Sequence, residues 1–358
     1  MTAPDNHAIV GLGLVGYGYW GPNLARNFSR QPGCRLVAIC DVDESRLAGA
    51  ALEYPGTQVT DTYQDLLDNP DIQAILIATP VSSHHPLALA AFDAGKDVFV
   101  EKPIATTVTE GAEMVSKAET TGRLLAVDHT FLFTGAVRKI KELISAGEIG
   151  DLIYIDSVRV NLGLFQDDVN AIFDLAPHDI SIATYLTGED PVFAQATGMC
   201  YGTDDTESVA YTHLEYAGGM ISHSHLSWLS PVKIRRTIIA GSRKMIVYDD
   251  MEPSEKIKIY DKGIVKKQHD LNYRDILDLD TERKVKIDYR TGDMVAPNFS
   301  KREALDLEAE HFVDCVRTRK TPLSDGKFGL RVLRQIEACS ASIKQNGGRV
   351  SLGPVRAE

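Results

Sequence analysis

A glycine-rich turn near the N-terminus constrains the fold of this chain more than any other feature. Gly16, Gly18 and Gly21 follow the short apolar run Ile9 to Val15 and match the pattern Gly-x-Gly-x-x-Gly. Glycines in this pattern allow a tight turn and let the backbone approach a pyrophosphate at the N-terminus of a helix. Pro22 comes next, at a position where a helix accepts proline. The stretch therefore predicts a strand, a phosphate-binding turn and a helix.

An overlapping match, formed by Gly11, Gly13 and Gly16, has the same spacing. It would leave only Ala8 to Val10 for the preceding strand, which is shorter than strands usually are. The later match has a full strand before it, and the apolar residues after it recur at helical spacing. We therefore predict that the later match forms the turn.

The predicted second strand, Arg35 to Cys40, ends at Asp41. In dinucleotide-binding folds an acid about 20 residues after the glycines accepts hydrogen bonds from ribose hydroxyls. Asp41 lies 25 residues after Gly16, which is near that spacing. An acid here disfavours the extra phosphate of NADP, although Arg46, about one turn downstream, weakens this preference slightly. We predict NAD as the cofactor, with NADP as the less favoured alternative.

Further strand and helix patterns alternate up to residue 128. The apolar runs are Val59 to Thr60, Ala74 to Ala78, Asp97 to Val100 and Leu124 to Val127. Strands that alternate with helices predict a parallel, doubly wound sheet covered on both faces. We therefore expect an α/β fold in which residues 1–128 form an N-terminal Rossmann domain.

The pattern changes beyond this point. After a strand at Ile149 to Leu162, runs of alternating apolar residues predict a large, open, mostly antiparallel sheet. These runs are Val192 to Gly202, Ser208 to Tyr216, Met220 to Trp228, Ile234 to Ala240 and Met245 to Asp249. We interpret Glu252 to Pro297, which is polar and poorly periodic, as a long excursion. With amphipathic helices at Leu305 to Arg317 and Phe328 to Lys344, residues 129–358 are expected to form a second α/β domain.

Composition limits the classes of function. The 358 residues carry a formal net charge of −12, which argues against nucleic-acid and anionic-membrane partners. The segment Met1 to His7 lacks the features of a secretion signal, and no apolar run reaches membrane-spanning length. The five scattered cysteines predict neither a disulfide framework nor a zinc site. We expect a protein of the reducing cytoplasm.

Glu101, Lys102 and Pro103 follow directly on the predicted strand Asp97 to Val100. Ligands of open α/β sheets bind outside the carboxyl ends of the strands, so a lysine here can reach reacting chemistry. Its ammonium group could stabilise negative charge that develops on a reacting oxygen. For these three residues taken alone, a strand end with a solvated lysine is the simpler interpretation.

Asp174 and His178 lie four residues apart, where a helix is predicted to begin. If Asp174 caps this helix, both side chains share one face, and Pro177 falls in the first turn, where its missing N–H has little effect. Histidine titrates near physiological pH and is a common general acid or base. Taken alone, His178 is more simply a structural residue and Asp174 a helix cap.

Three other groups of residues have chemical potential. His223 and His225 alternate on one face of a strand, but two ligands without a third do not make a site, and we predict no metal. Arg235 and Arg236 could bind substrate phosphates, although we expect one of the two to lie on a solvated face of the sheet. We assign Trp228 to the core or to an interface.

Taken together, the motifs resemble those of the glucose–fructose oxidoreductase / inositol dehydrogenase (Gfo/Idh/MocA) family along nearly the whole chain. The residues that carry the resemblance are the Gly16-x-Gly18-x-x-Gly21 turn, Thr79-Pro80 with His84, Gly95 to Val98, Glu101-Lys102-Pro103 and Asp174-x-x-x-His178. The segments Asp174 to Asp179 and Ser227 to Pro231, with Tyr248 to Asp250, are most similar to the nucleotide-sugar 3-dehydrogenases. That group includes enzymes for UDP-N-acetylglucosamine or its uronic acid.

The resemblance implies an NAD-dependent oxidoreductase that moves a hydride between the nicotinamide and a secondary alcohol, expected at carbon 3, of a sugar or nucleotide sugar. Lys102 would polarise the reacting oxygen, His178 would move the proton, and Asp174 would hold the substrate or the histidine. The cofactor would contact Gly16, Gly18, Tyr19, Trp20, Gly21, Asp41, Thr79, Pro80, His84, Glu101 and Lys102. Residues 129–358 would bind the substrate and form a homodimer or homotetramer through the open face of the large sheet.

Three alternatives remain open at the level of sequence. The first is an inositol or free-sugar dehydrogenase with the same fold. The second is a ketosugar reductase of a deoxysugar or antibiotic pathway, which would run the same chemistry in reverse. The third is a non-catalytic NAD-binding regulator, which the retention of Lys102, Asp174 and His178 disfavours.

Overall fold

The computed structural model describes residues 9–163, 169–202, 206–266 and 287–353, so the predictions for Met1 to His7 lie outside it. Its first sheet contains β1 (Val10–Val15), β2 (Cys34–Cys40), β3 (Gln58–Thr60), β4 (Ala74–Ile77), β5 (Asp97–Val100) and β6 (Leu125–Val127). All neighbouring strands are parallel, in the order β3-β2-β1-β4-β5-β6. The order reverses between β1 and β4, which places a ligand crevice at their carboxyl ends. The predicted doubly wound sheet is confirmed.

Helices cover both faces of this sheet. They are α1 (Gly21–Ser29), α2 (Glu44–Glu53), α3 (Tyr63–Asp68), α4 (His84–Asp93) and α5 (Val108–Thr121), with α6 (Gly135–Ser145), α7 (Ala171–Thr187), α8 (Ala304–Thr318) and α9 (Gly326–Lys344) further along the chain. Because successive strand side chains point to opposite faces, Leu12 and Leu14 pack into one core while Ile75 and Ile77 pack into the other.

Helix α8, the last but one of the described helices, packs against the first sheet. Its Phe312 packs against Phe28 of α1 and Phe99 of β5, with ring centroids 6.2 and 5.3 Å away, and all three rings are buried. Burying an aromatic side chain of this size contributes about 2–3 kcal/mol. At the end of α8, Arg319 donates to both carboxylate oxygens of Asp97, at 2.5 and 3.1 Å. The C-terminal segment is therefore part of the packing of the N-terminal sheet.

The second sheet is large and mostly antiparallel, as predicted. Its strands are β7 (Leu152–Leu162), β8 (Pro191–Cys200), β9 (Glu207–Tyr216), β10 (Ile221–Ser227), β11 (Leu229–Gly241), β12 (Met245–Asp249), β13 (Ile257–Lys266), β14 (Ile287–Val295) and β15 (Val350–Ser351). Their order is β14-β13-β12-β11-β7-β10-β9-β8-β15, and β7 and β10 form the parallel pair. α7 and α9 pack on one face.

The predicted excursion at Glu252 to Pro297 is wrong where the structure describes it. β13 and β14 pair antiparallel and extend the sheet. Ile257 and Ile259 are buried and alternate with polar residues, so the strand has a period of two in which few positions are apolar. Residues 267–286 of that segment lie outside the described part of the chain.

The predicted start of α7 is also wrong. The helix begins at Ala171, and its cap is Asn170, whose side-chain oxygen accepts from Phe173 N at 2.9 Å. Asp174 therefore lies in the first turn, and Pro177 lies inside the helix. The helix begins earlier than predicted because Ala171 and Ile172, which precede the predicted start, are buried in the core.

The structure places the glycine turn at the later of the two matches. Gly16 has φ +91°, and a Cβ at Gly21 would lie 2.2 Å from Gly16 O, so both positions require glycine. Gly11 lies inside β1, where a Cβ would come 1.7 Å from Asp71 O. In the part of the chain that the structure describes, no helix is both long and apolar enough to cross a membrane.

A pair of glycine substitutions tests this packing. Gly11→Ala should lower the free energy of unfolding by about 2 kcal/mol or more, because the new methyl group overlaps a backbone oxygen. Gly49→Ala is the matched control: it is exposed within α2, nothing lies within 4 Å of its Cβ position, and it should raise stability by about 0.5–1 kcal/mol. Denaturant midpoints measure both. A Gly11→Ala protein as stable as wild type would contradict the packing described.

Candidate active site

The glycine turn fits a dinucleotide. At Gly18 a Cβ would meet the guanidinium of Arg46, with Nη1 at 3.5 Å and Cζ at 3.8 Å, which are ordinary contact distances, so the protein itself leaves room at this position. Such room suits a backbone that a pyrophosphate approaches closely. Trp20 caps α1 without a side-chain hydrogen bond, and its carbonyl oxygen accepts from Asn23 N at 2.9 Å. The positive end of the α1 dipole therefore lies at the turn, where an anion is favoured. Tyr19 is almost fully exposed next to the turn.

Asp41 lies at the end of β2 with its carboxylate held by the backbone. Its Oδ2 accepts from Tyr17 N at 2.5 Å and its Oδ1 from Asp43 N at 2.9 Å. Arg46 Nη1 is 3.6 Å from Asp41 Oδ2. The acid is therefore fixed beside the crevice, as expected for a residue that contacts the ribose, and one guanidinium lies next to it.

The loops that follow β4 and β5 are joined by His84. Its two ring nitrogens each lie 3.0 Å from a backbone carbonyl oxygen, that of Thr79 on one side and of Pro103 on the other. Burial lowers the pKa of this imidazole. Thr79 also accepts a hydrogen bond from Ser83 Oγ, at 2.6 Å, and Pro80 begins the short helical turn that precedes α4. Both nitrogens of His84 thus face carbonyl oxygens of the protein, and the nitrogen that carries the proton donates to one of them and ties it to the helix.

Lys102 contacts Asp174, 72 residues away in the chain. Its Nζ donates to the Asp174 main-chain oxygen at 3.1 Å and to Oδ1 at 3.3 Å. The other carboxylate oxygen, Oδ2, accepts from Trp228 Nε1 at 3.1 Å. Trp228 is buried, and its indole therefore fixes the carboxylate that orients the lysine. The structure thus brings together two of the predicted catalytic residues and adds Trp228, which sequence reasoning assigned only to packing.

His178 follows Asp174 by one helical turn on the same face. Its ring is half-buried and makes an edge-on contact with Phe131, with centroids 5.0 Å apart. Burial lowers the pKa of His178 well below its ordinary value, and the positive charges of Lys102, Arg159 and Arg235 add to the effect. The imidazole is therefore neutral at physiological pH and able to accept a proton.

Behind Lys102 lies a group of acids, of which the sequence indicated only Glu101. Glu101 Oε2 accepts from Lys102 N at 3.0 Å, and Asp128 accepts from Trp20 Nε1 at 2.8 Å. Burial first, and then the charge of Asp128, raise the pKa of Glu101 and of Glu308 well above the ordinary value. These two carboxyls therefore favour the protonated form.

His129 is a second residue that sequence reasoning missed. It is buried, neither ring nitrogen has a hydrogen-bond partner among the described residues, and burial lowers its pKa to about 4. Asp128 and His129 follow β6 directly, so the rule that pointed to Lys102 at the end of β5 could have found them. Glu308 lies within the amphipathic helix α8 and carried no such signal.

The two strand histidines are placed on the open face of the large sheet. Tyr211 stacks on His225 with centroids 4.5 Å apart, and His223 Nδ1 lies 3.0 Å from Asp156 Oδ1. Across the described ranges, no group of three or more His, Cys, Asp or Glu side chains is arranged to hold a metal ion.

Family models match both halves of the chain. Residues 10–129 match the model of an oxidoreductase family with an NAD-binding Rossmann fold, and residues 137–247 match the Gfo/Idh/MocA C-terminal domain. The chain is 28% identical to a scyllo-inositol 2-dehydrogenase (NAD⁺) of Bacillus subtilis over 330 residues, which cover 88% of this chain and 87% of that protein.

Two solved structures share the fold. One is a UDP-N-acetylglucosamine 3-dehydrogenase from Acidithiobacillus ferrooxidans, with 23% identity, a TM-score of 0.75, and coverage of 94% of this chain and 98% of that one. The other is a levoglucosan dehydrogenase in complex with NADH and levoglucosan, with 20% identity, a TM-score of 0.80, and coverage of 96% and 100%. With both family models matched in order, the chain belongs to the Gfo/Idh/MocA family of NAD-binding oxidoreductases.

Proposed function

We propose that this protein is an NAD-dependent dehydrogenase that oxidises a secondary hydroxyl of a sugar or nucleotide sugar, with carbon 3 as the expected position. The observation that carries the proposal is the contact of Lys102 Nζ with Asp174, one helical turn from a neutral His178. An oriented cation and a proton acceptor beside a dinucleotide turn are what alcohol oxidation requires.

Each residue of the site has a separate role in the proposed reaction. Lys102 polarises the hydroxyl oxygen and stabilises its developing negative charge. His178 accepts the hydroxyl proton, and Asp174 orients Lys102 through the contacts described above. NAD, when bound, supplies the hydride acceptor. Glu101 and His84 position the loops on which Lys102 and the cofactor pocket depend.

A second candidate is an inositol or free-sugar dehydrogenase. The observation that favours it is the similarity, over most of both chains, to the scyllo-inositol 2-dehydrogenase. The same residues would perform the same proton and hydride transfers, so only the substrate pocket distinguishes the two candidates. A ketosugar reductase would use this site in the opposite direction. A non-catalytic regulator would have no use for the Lys102–Asp174 contact.

We further propose that a second copy of the chain covers the open face of the large sheet, as the family resemblance implies. This face exposes large apolar side chains on three strands: Met199, Tyr211 and Ile221. Exposed apolar groups of this kind favour protein–protein contact. A homodimer or homotetramer in the cytoplasm remains our expectation.

A substrate screen tests the proposed function directly. Purified protein with NAD should reduce the cofactor, followed at 340 nm, with at least one member of a panel of free sugars, inositols, sugar acids and nucleotide sugars. Product analysis by mass spectrometry should show the loss of two hydrogens from the substrate. If NAD binds and no member of the panel is oxidised, the result contradicts the dehydrogenase proposal and favours the ketosugar reductase or the regulator.

Loss of the lysine should abolish turnover while sparing cofactor binding. Lys102→Ala should lower kcat by roughly 10³-fold with the substrate found in the screen, because the reacting oxygen loses its cationic partner. The matched control is Lys327→Ala, on the exposed start of α9, which should retain wild-type kcat. NADH fluorescence titration checks that both variants bind the cofactor. Near wild-type turnover by Lys102→Ala would contradict the assignment.

The pH profile should report the lowered pKa of His178. The basic form of a group with a depressed pKa persists to lower pH, so the acid limb of kcat/KM for oxidation should lie below pH 6.5, the ordinary histidine value. The cations that lower this pKa are those of Lys102, Arg159 and Arg235, with His129 also nearby. In His178→Gln this acid limb should be absent, and kcat should fall by roughly 10²–10⁴-fold. An unchanged limb in that variant would assign it to another group.

The preference for NAD should depend on Asp41. Wild-type protein should have a higher kcat/KM with NAD than with NADP. Asp41→Ser should lower the ratio of these two values by roughly 10-fold or more, because the acid no longer repels the 2′-phosphate. Adding Arg46→Ala to Asp41→Ser should reverse part of the increase in kcat/KM with NADP, since the Arg46 guanidinium lies beside Asp41. The measurement is kcat/KM with each cofactor. A ratio unaffected by Asp41→Ser would contradict the role of this acid.

A further inference from the structure

We propose that the substrate carries an acidic group, a carboxylate or a phosphate, which Arg235 and Arg159 bind beside His178. This inference rests on the proposed function, and it selects acidic sugars and nucleotide sugars over neutral inositols.

The two arginines form a cross-strand pair. Arg235 of β11 lies opposite Arg159 of β7 in the sheet register. Two residues further along, Ser157 Oγ and Thr237 Oγ1 are 3.2 Å apart and both are buried, which shows that this row of side chains points to the covered face. Like charges directly opposite each other in a sheet are destabilising, so each member of such a pair needs a compensating anion.

Arg159 has only part of its hydrogen-bonding capacity used. Its Nε and Nη2 donate to the two carboxylate oxygens of Asp179, at 3.0 and 2.9 Å, and its side chain is only 4% exposed. Its Nη1 is buried and has no hydrogen-bond partner within the described ranges. The guanidinium lies over the Phe131 ring, 4.6 Å from the centroid, and the same ring contacts His178. Arg159 is therefore fixed next to the predicted proton acceptor with one donor unused.

Arg235 is held less tightly. The carboxylate nearest to it is that of Asp250, at 3.7 Å, which is beyond hydrogen-bond distance. Asp250 instead accepts from Lys256 Nζ at 2.9 Å and from Tyr248 Oη at 3.2 Å. The side chain of Arg235 is 34% exposed, so a ligand can reach it. Partial burial and the charge of Arg159 lower the pKa of Arg235, as expected for a cation without adequate compensation.

The ion pairs around this face leave positive charge in excess. Three cations beside the two strands share two carboxylates: Arg159 is paired with Asp179, whereas Arg235 and Lys256 both lie against Asp250. The whole chain has a net charge of −12, so a local positive excess is a specific feature of this site. Guanidinium groups bind carboxylate and phosphate with charge-assisted, often bidentate hydrogen bonds.

An acidic substrate would also adjust the chemistry. The cations around His178 disfavour its protonated form, as described above. A negative group held by Arg235 would offset part of that field and make the imidazole a stronger base. Binding of the correct substrate would thereby improve the proton acceptor that its oxidation requires.

The test compares matched sugars on four proteins, the wild type and three variants. The probes are glucose, glucuronate, glucose 1-phosphate, UDP-N-acetylglucosamine and its uronic acid, and myo-inositol. For the best acidic probe, Arg235→Gln should lower kcat/KM by about 10- to 100-fold, Arg235→Lys should recover part of it, and neutral probes should change little. Arg30→Gln is the matched control, because this arginine is exposed at the end of α1 and its replacement should leave every value unchanged. Whether the carboxylate or the phosphate members respond to Arg235→Gln identifies the acidic group.

Binding without turnover separates this inference from the proposed function. The midpoint of thermal unfolding is measured with NADH and each probe for the four proteins. Acidic probes that stabilise wild type but not Arg235→Gln support the anion site, even if no probe is oxidised and the dehydrogenase proposal fails. A neutral sugar that is oxidised better than every acidic counterpart, with Arg235→Gln indistinguishable from wild type, would refute the anion site and leave the dehydrogenase proposal intact.

Discussion

The active site depends on one contact, that of Lys102 Nζ with Asp174. It joins the carboxyl end of a strand in the N-terminal sheet to the first turn of the helix that covers the second sheet. Both side chains are largely buried, at 18% and 20% exposure, so neither charge is well solvated without the other. Removing one partner of such a pair is costly because the remaining charge is left uncompensated. The contact therefore holds the two halves of the site at a fixed distance.

Two further hydrogen bonds fix the positions of the lysine and of the cofactor turn. Trp228 fixes one oxygen of Asp174, so the lysine meets a carboxylate in a single orientation. On the other side, Trp20 at the glycine turn donates to Asp128, which belongs to the acid group behind Lys102. An indole N–H is a donor only, and each of the two tryptophans uses it on a carboxylate near the reacting centre. Aromatic side chains that usually serve packing here orient charged groups.

A helix from near the C-terminus packs on the N-terminal sheet. Helix α8, some 200 residues after β5, completes the core beneath the first sheet and brings Glu308 to the acids behind Lys102. Removal of the C-terminal segment would expose Phe28 and Phe99 as well as disturb the site. The N-terminal dinucleotide-binding unit is thus dependent, for both packing and electrostatics, on residues near the other end of the chain.

The sequence by itself determined the local chemistry. Period-two and helical patterns predicted both sheets, and the glycine spacing with Asp41 indicated the dinucleotide turn, because these follow from backbone geometry over a few residues. The roles of Lys102, Asp174 and His178 were predicted from the resemblance of their motifs to those of the family. Only the tertiary structure decided what depends on distant contacts. It showed that Asn170 rather than Asp174 caps α7, that Ile257 belongs to the sheet, and that Glu308 joins the acids. It also placed Arg235 opposite Arg159 on the covered face. Burial and pairing between residues far apart in the chain arise only when the elements pack, so no local pattern records them.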